Sequence, residues 1–321
     1  MSSRVMCAFL YWFCSGCLFC GAFVGLKFQN WLLFASIVLL WGSNWSIMKI
    51  GLNILQAPVA FVLHRFLVSA AVLFPGFVLL RGRLPKDRDT LVKLFVLCSV
   101  FVSVIVTQAS GLMEESSGIG SVLSYTQPLF VFCLAVPFLS ERVTVIKVAG
   151  VVVGFLGVVV LFLGKLEAVP VHSILVLLFG AFLWAVSVLF YKKFLTHVDP
   201  FVTHFLQLAV GSVFLCAWVF GTSGFVVSVD MTYVGLLIVS STGALAAGNV
   251  VWLYLLKREE ATTLSGSSLI IPAVALLFGW WILGENPSFE SVLGSGLTLA
   301  GVYLVNLRRK NGASALGRGK A

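Results

Sequence analysis

Ionisable and amide side chains are scarce in this chain, and several fall inside long apolar runs. Arg65 is the outlier. It lies roughly 12 Å into the run 57–80, counted at about 1.5 Å per residue along a helix. A guanidinium there either binds an anionic group such as a carboxylate through its bidentate fork, or snorkels to the nearer headgroups beside His64. Spacing leaves both readings open. Trp41, Asn44, Trp45 and Met48 stand at i, i+3, i+4 and i+7 and share a helix face. Trp184, Ser187 and Tyr191 make a similar stripe. Two aromatic-plus-polar stripes suit the walls of an amphipathic cavity; the alternative is packing with Trp as filler. Gln108, Gln127, His204, Gln207 and Asn249 are further candidates for that cavity, although a membrane His is commonly a satisfied structural group. Ser124 with Pro128, and Ser268 with Pro272, repeat one pattern. Proline removes a backbone donor and favours a kink, so these four are hinge or gating candidates, static kinks being the alternative. Glu141 and Glu285 end two apolar runs as coupling or gate-latch candidates, or as caps on neighbouring helices.

Other chemistry finds no support. There is no G-x-S-x-G, no phosphate-cradling Gly loop with Lys and no H-E-x-x-H. The four His are scattered without ligand spacing, so no metal and no cofactor is expected. Cys14, Cys17 and Cys20 have a C-x-x-C-x-x-C spacing, but an iron–sulfur cluster needs four ligands and a ligating loop, and this run is apolar. Cys98, Cys133 and Cys216 read as small apolar packers. Asn44-Trp45-Ser46 matches a glycosylation triplet inside hydrocarbon, where it cannot be modified. The basic loops are short and lack interleaved aromatics, which argues against a nucleic-acid partner.

The elements that must position these residues follow from composition. The chain has 321 residues, is 60% apolar and 10% charged, and has a mean hydropathy of +1.07. Soluble domains carry roughly 25% charged residues, so the bilayer is the expected solvent and partner. Apolar runs fall at about 31–53, 57–80, 91–113, 117–139, 145–164, 171–191, 200–220, 232–256, 261–283 and 288–307, with one more at 5–26. They are unbroken, not alternating, and therefore predict helices. Of 21 Lys and Arg, 17 fall on one side of a ten-span alternation, the others being Arg4, Lys49, Arg65 and Lys165. That places residues 27–30 and the C-terminus in the cytoplasm of a multi-pass cell-membrane protein.

The chain also repeats. Pro128 pairs with Pro272, Glu141 with Glu285, Gly150 with Gly294 and Gly157 with Gly301, each 144 residues apart, and Trp41 pairs with Trp184. A period of about 143 residues holds five spans, and an odd number inverts the second copy. The fold expected is an all-α integral membrane ten-helix bundle of two inverted five-helix repeats, at 31–165 and 171–309, with a basic cytoplasmic tail at 310–321. Residues 1–30 are an extra N-terminal hydrophobic helix, a signal-like segment or a stretch upstream of the true start. Gly150, Gly154 and Gly157, with Gly294, Gly296 and Gly301, suit close packing inside the chain or in a homodimer.

The two copies resemble tandem EamA domains of the drug/metabolite transporter superfamily. WGSNW from Trp41, His64-Arg65-Phe66, the stretch SYTQPLFVFCLAVPFLSER ending at Arg142 and SSLIIPAVALLFGWWILGE ending at Glu285 carry the resemblance over about residues 31–309. Gln207 at the position of Arg65 also fits; Asn286 in place of Arg142 and residues 1–26 depart from the pattern. The resemblance implies alternating access around a central cavity in a carrier, often an exporter of amino acids or other metabolites, and no enzyme. The expectation is a secondary active transporter, monomer or homodimer, exporting a small polar metabolite, with a proton as a candidate coupling ion. A passive facilitator or channel, or a non-transporting membrane subunit, is the alternative.

Overall fold

The computed structural model describes residues 28–80, 84–139, 144–163, 171–222, 226–259, 261, 264–265, 268 and 270–306. Among these there are helices and no strand. α1 is Phe28–Leu55, α2 Pro58–Leu80, α3 Arg88–Glu114, α4 Ser117–Ser124, α5 Gln127–Leu139, α6 Val145–Leu163, α7 Val171–Phe194 and α8 Pro200–Thr222. α9 (Met231–Val239) continues through a π-helical segment, Ser240–Gly248, into α10 (Asn249–Arg258); α11 (Ile270–Leu283) and α12 (Phe289–Asn306) follow. α4 with α5 makes one span, and α9 with α10 another. Seven spans are long and apolar enough to cross a bilayer, and three shorter apolar helices stand where the other three are expected. The readings of residues 1–26, of Glu141 and of the tail fall outside the described residues.

Local chemistry sets the helix starts. Pro58 and Pro200 open α2 and α8, where a missing N–H costs little. Asp199 accepts from Phe201 N at 2.9 Å. Asp87 accepts from Thr90 N at 2.8 Å ahead of α3, and Asp230 from Thr232 N at 2.7 Å and Tyr233 N at 3.0 Å ahead of α9. The bonds to Thr90 hold the Asp87 carboxyl below its ordinary value, as the backbone N–H groups of Tyr233 and Thr232 do for Asp230. Both caps are therefore in place at neutral pH and are lost only as pH falls through those lowered values.

Packing shows the internal two-fold directly. α2 lies on α8 and α6 on α12; α1 packs on α11 as α7 packs on α5, and the α9–α10 span lies on α1 as α3 lies on α7. Equivalent helices run antiparallel. Phe77 stacks on Phe205 with centroids 4.0 Å apart. At the other end of that pair, a β-carbon on Gly211 would lie 2.5 Å from the Phe66 ring. Residue numbers rise on α2 as they fall on α8, so the second copy is inverted. α6 and α12 cross backbone to backbone: a β-carbon on Gly157 would meet Gly294 O at 2.7 Å, and one on Gly301 would meet Gly150 O at 2.6 Å. The glycine faces are used inside the chain. Gly296 meets nothing within 4 Å and is not part of them.

Charged side chains near the helix ends follow the same symmetry. Lys49 Nζ donates to Leu112 O (2.9 Å) and Met113 O (2.8 Å) at the end of α3. Lys192, 143 residues later, donates to Leu256 O and Glu259 O, both at 2.8 Å, at the end of α10. Ser173 donates to Glu115 at 3.0 Å, and Asn30 to Glu259 at 2.6 Å. Orphan carbonyls at helix ends attract such cations. The Glu285 carboxylate accepts from Ser117 N (2.6 Å), Ser117 Oγ (2.9 Å) and Gly118 N (3.2 Å), so it caps the N-terminus of α4.

Two spans depart from plain helices. The break in the fourth span is at Tyr125–Thr126, not at Pro128, which is the second residue of α5. There Thr126 N reaches back only to Leu123 O (3.2 Å), and Leu129 N bonds Thr126 O (2.9 Å). The ninth span has the bonds of Thr126 at Ser268: Thr126 Oγ1 donates to Leu123 O at 2.7 Å and Ser268 Oγ to Ser265 O at 2.6 Å, and Ile271 N donates to Ser268 O at 3.0 Å, just ahead of the buried Pro272. The π segment has no such forewarning in the sequence, and the equivalent third span is regular.

Gly301→Ala should lower the thermal midpoint in detergent by about 5–10 °C, because its methyl meets the backbone of α6 and not a yielding side chain. Gly296→Ala, in open space, should leave the midpoint unchanged.

Candidate functional site

The break in the fourth span and the π segment bring the polar residues together. Trp41, Asn44, Trp45 and Met48 from α1, Arg65 from α2, Ile105 and Gln108 from α3, Ser124, Tyr125 and Gln127 at the break, Trp184 from α7, and Ala244, Leu245 and Asn249 line one cavity. A second, smaller cavity is lined by Phe101, Trp184, Ser187, Val188, Tyr191, Gln207, Asn249, Trp252, Leu253 and Leu256. Trp184 and Asn249 belong to both walls.

The two cavities are images under the internal two-fold. Trp41 corresponds to Trp184, Asn44 to Ser187, Met48 to Tyr191, Arg65 to Gln207 and Gln108 to Trp252, at offsets of 142–144 residues. The first lies toward the C-terminal end of α1, the second toward the C-terminal ends of α7 and α10. A cluster of three indoles stands where they meet: Trp41 lies 5.6 Å from Trp184 and 5.3 Å from Trp252, centroid to centroid.

Arg65 is 3% exposed. Its Nη1 donates to Met48 Sδ at 3.4 Å, its guanidinium lies 5.8 Å from the Phe61 ring, and its Nε has no partner. It therefore faces the cavity and does not snorkel. No carboxylate lines either cavity among the described residues. Around the same space the Oγ of Ser124, the Oε1 of Gln127 and the Nε1 of Trp184 are buried without a hydrogen-bond partner, as is the Tyr191 hydroxyl in the second cavity. A buried polar atom left unpaired costs about 1–3 kcal/mol. Five such atoms around one pair of cavities form a donor-rich surface with an acceptor at Gln127, complementary to a small polar molecule carrying an anionic group.

The remaining polar residues are held by their neighbours. Asn44 accepts from Ser240 Oγ at 2.6 Å and donates to Met48 Sδ at 3.0 Å. The π segment supplies carbonyls: Ala244 O accepts from Trp41 Nε1 (3.0 Å) and Asn249 Nδ2 (3.3 Å), and Leu245 O from Asn249 Nδ2 (3.1 Å) and His204 Nε2 (2.7 Å). His204 Nδ1 sits 3.0 Å from Gln207 Oε1, under the edge of Phe101. His204 thus anchors the π segment and Gln207 and lines neither cavity, unlike the cavity residue expected. His64 bonds the Tyr233 hydroxyl at 2.6 Å, tying α2 to α9. Every other proposed cavity residue lines one space or the other. Sequence reasoning missed Tyr125, Ala244 and Leu245, which reach the site through the helix break and the π segment. Trp252 was legible in principle as the repeat partner of Gln108.

Comparison with known proteins agrees with this architecture. The profile of the EamA-like transporter family matches residues 29–163 and again 172–307. An uncharacterized transporter of Archaeoglobus fulgidus is 32% identical over 286 residues, covering 88% of this chain and all of its own. A probable amino-acid metabolite efflux pump of Salmonella typhimurium is 26% identical, covering 84% of this chain and 91% of its own. A probable terminal-alkyne amino-acid exporter of Streptantibioticus cattleyicolor is 28% identical, covering 90% and 97%. A solved crystal structure with 18% identity superposes at a TM-score of 0.64 over 86% of this chain, a likeness of fold. With the family's pattern matched once in each inverted half, the chain belongs to the EamA-like transporter family and is a multi-pass membrane protein.

Proposed function

We propose that this protein is a secondary active exporter of a small amino acid or a related carboxylate, working by alternating access. One observation carries the reading: the buried Arg65 guanidinium has no counter-charge among the described residues that line its cavity, and that cavity holds unsatisfied polar atoms. A buried cation in a span costs about 3 kcal/mol or more. A substrate carboxylate on its fork offsets that cost, while Gln127 Oε1 and Ser124 Oγ accept from an ammonium group and the indoles of Trp41, Trp45 and Trp184 flank the apolar part. The names of the Salmonella and Streptantibioticus relatives support the amino-acid class and the outward direction.

The charge map supports a cytoplasmic C-terminus, so the second cavity serves the cytoplasmic face and the first the outer face. Ser124–Pro128 and Ser268–Pro272 are the flexing points at the middle of the inverted spans, and the paired lysine and glutamate caps close the two ends in turn. In this reading Glu285 latches α4. The internal use of the glycine faces supports a monomer as the working unit. The protein performs no covalent chemistry.

Reconstituted vesicles loaded with a panel of labelled amino acids should show saturable flux and counterflow for at least one of them, with Arg65→Gln cutting the rate at least tenfold. Non-saturable flux without counterflow would indicate a channel, and no flux from any of the panel would refute the reading. Stability separates a functional from a structural arginine. Arg65→Met should keep or raise the thermal midpoint, by about 2–5 °C, since it removes a buried charge that no carboxylate pairs. A clear fall in the midpoint would make Arg65 a structural residue.

A further inference from the structure

The second cavity repeats the first with its one fixed charge left out. Where Arg65 stands in the first wall, Gln207 stands in the second, pinned 3.0 Å from His204. Where the first has the apolar Met48, the second has Tyr191, 1% exposed, whose hydroxyl finds no partner in the protein. Trp184, whose N–H is equally unpartnered, lies in both walls. The second cavity is thus lined by uncharged hydrogen-bonding groups with unmet capacity, and it shares Trp184 with the cavity that Arg65 lines.

Resting on the carboxylate reading above, we propose that the second cavity is a separate ligand station, which takes the substrate's carboxylate on the neutral O–H of Tyr191 and N–H of Trp184. Neutral donors hold a carboxylate less firmly than a guanidinium fork. A substrate entering from the α7–α10 end is therefore held first by neutral donors, then passes the edge of Trp184 to the charged station. The two faces of the carrier have different affinities because the internal symmetry is broken at Arg65 and Gln207.

Initial rates of entry of the 14C-labelled amino acids of that panel, measured separately in inverted and right-side-out membrane vesicles, test this. Tyr191→Phe keeps the ring and removes one donor. It should raise KM at the cytoplasmic face about fivefold to tenfold, the loss of one neutral hydrogen bond, and leave KM at the outer face within twofold. Gln207→Arg should lower KM at the cytoplasmic face and slow turnover, by holding the carboxylate at a second cation. Wild-type vesicles that move no amino acid of the panel would overturn the functional reading itself. Wild-type flux with the Tyr191→Phe KM unchanged, or changed equally at both faces, would overturn the station alone. So would a Gln207→Arg KM at the cytoplasmic face no lower than that of wild type.

Discussion

Hydrocarbon offers no hydrogen bonds, so every polar group in a span must find its partner inside the protein. That constraint organises this molecule. Most buried polar side chains obey it: Ser69 donates to Ser241 O, Asn44 is bracketed by Ser240 and Met48, and lysines seal the ends of α3 and α10. Against this background the unsatisfied atoms stand out. Five of them, Arg65 Nε, Ser124 Oγ, Gln127 Oε1, Trp184 Nε1 and Tyr191 OH, gather at two adjoining cavities, while the hydroxyls of Ser241, Ser265 and Ser295 lie outside both.

The same constraint explains how the site is built. A continuous helix consumes its own carbonyls and N–H groups and offers a ligand or a neighbour only side chains. The break at Tyr125–Thr126 turns Ser124 and Gln127 into the cavity. The π segment leaves Ala244 O and Leu245 O able to accept from Trp41, Asn249 and His204. Irregular backbone is tolerated at membrane depth where it is buried in protein or lines a cavity, and both departures meet that condition.

Symmetry supplies the frame, and it is broken at the cavities. Two copies of one five-span unit pack so that equivalent helices cross antiparallel, and the glycines of α6 and α12 allow the tightest of these crossings. Capping devices recur at both ends. The cavities recur too, but not their charge: arginine on α2 corresponds to glutamine on α8, and methionine on α1 to tyrosine on α7. A carrier with two identical half-sites would have no built-in difference between its faces.

Much of this was legible in the residues. The steady offset between Pro128 and Pro272, Glu141 and Glu285, and Gly157 and Gly301 already implied an inverted duplication, because five spans cannot return a chain to the same side. Helical spacing put Trp41, Asn44, Trp45 and Met48 on one face, and the cost of an arginine in lipid marked Arg65. Periodicity describes one helix at a time, however, and says nothing of which face meets which neighbour. It therefore could not tell a snorkelling arginine from a buried one, nor a histidine lining a cavity from His204 anchoring a carbonyl. It placed the bend at the proline, whereas hydrogen bonding put it two residues earlier. The sequence alone determined the membrane, the helices and the duplication, since those follow from composition, run length and repeat. The tertiary structure decided where polar atoms are left without partners, since satisfaction is a property of neighbours from distant parts of the chain.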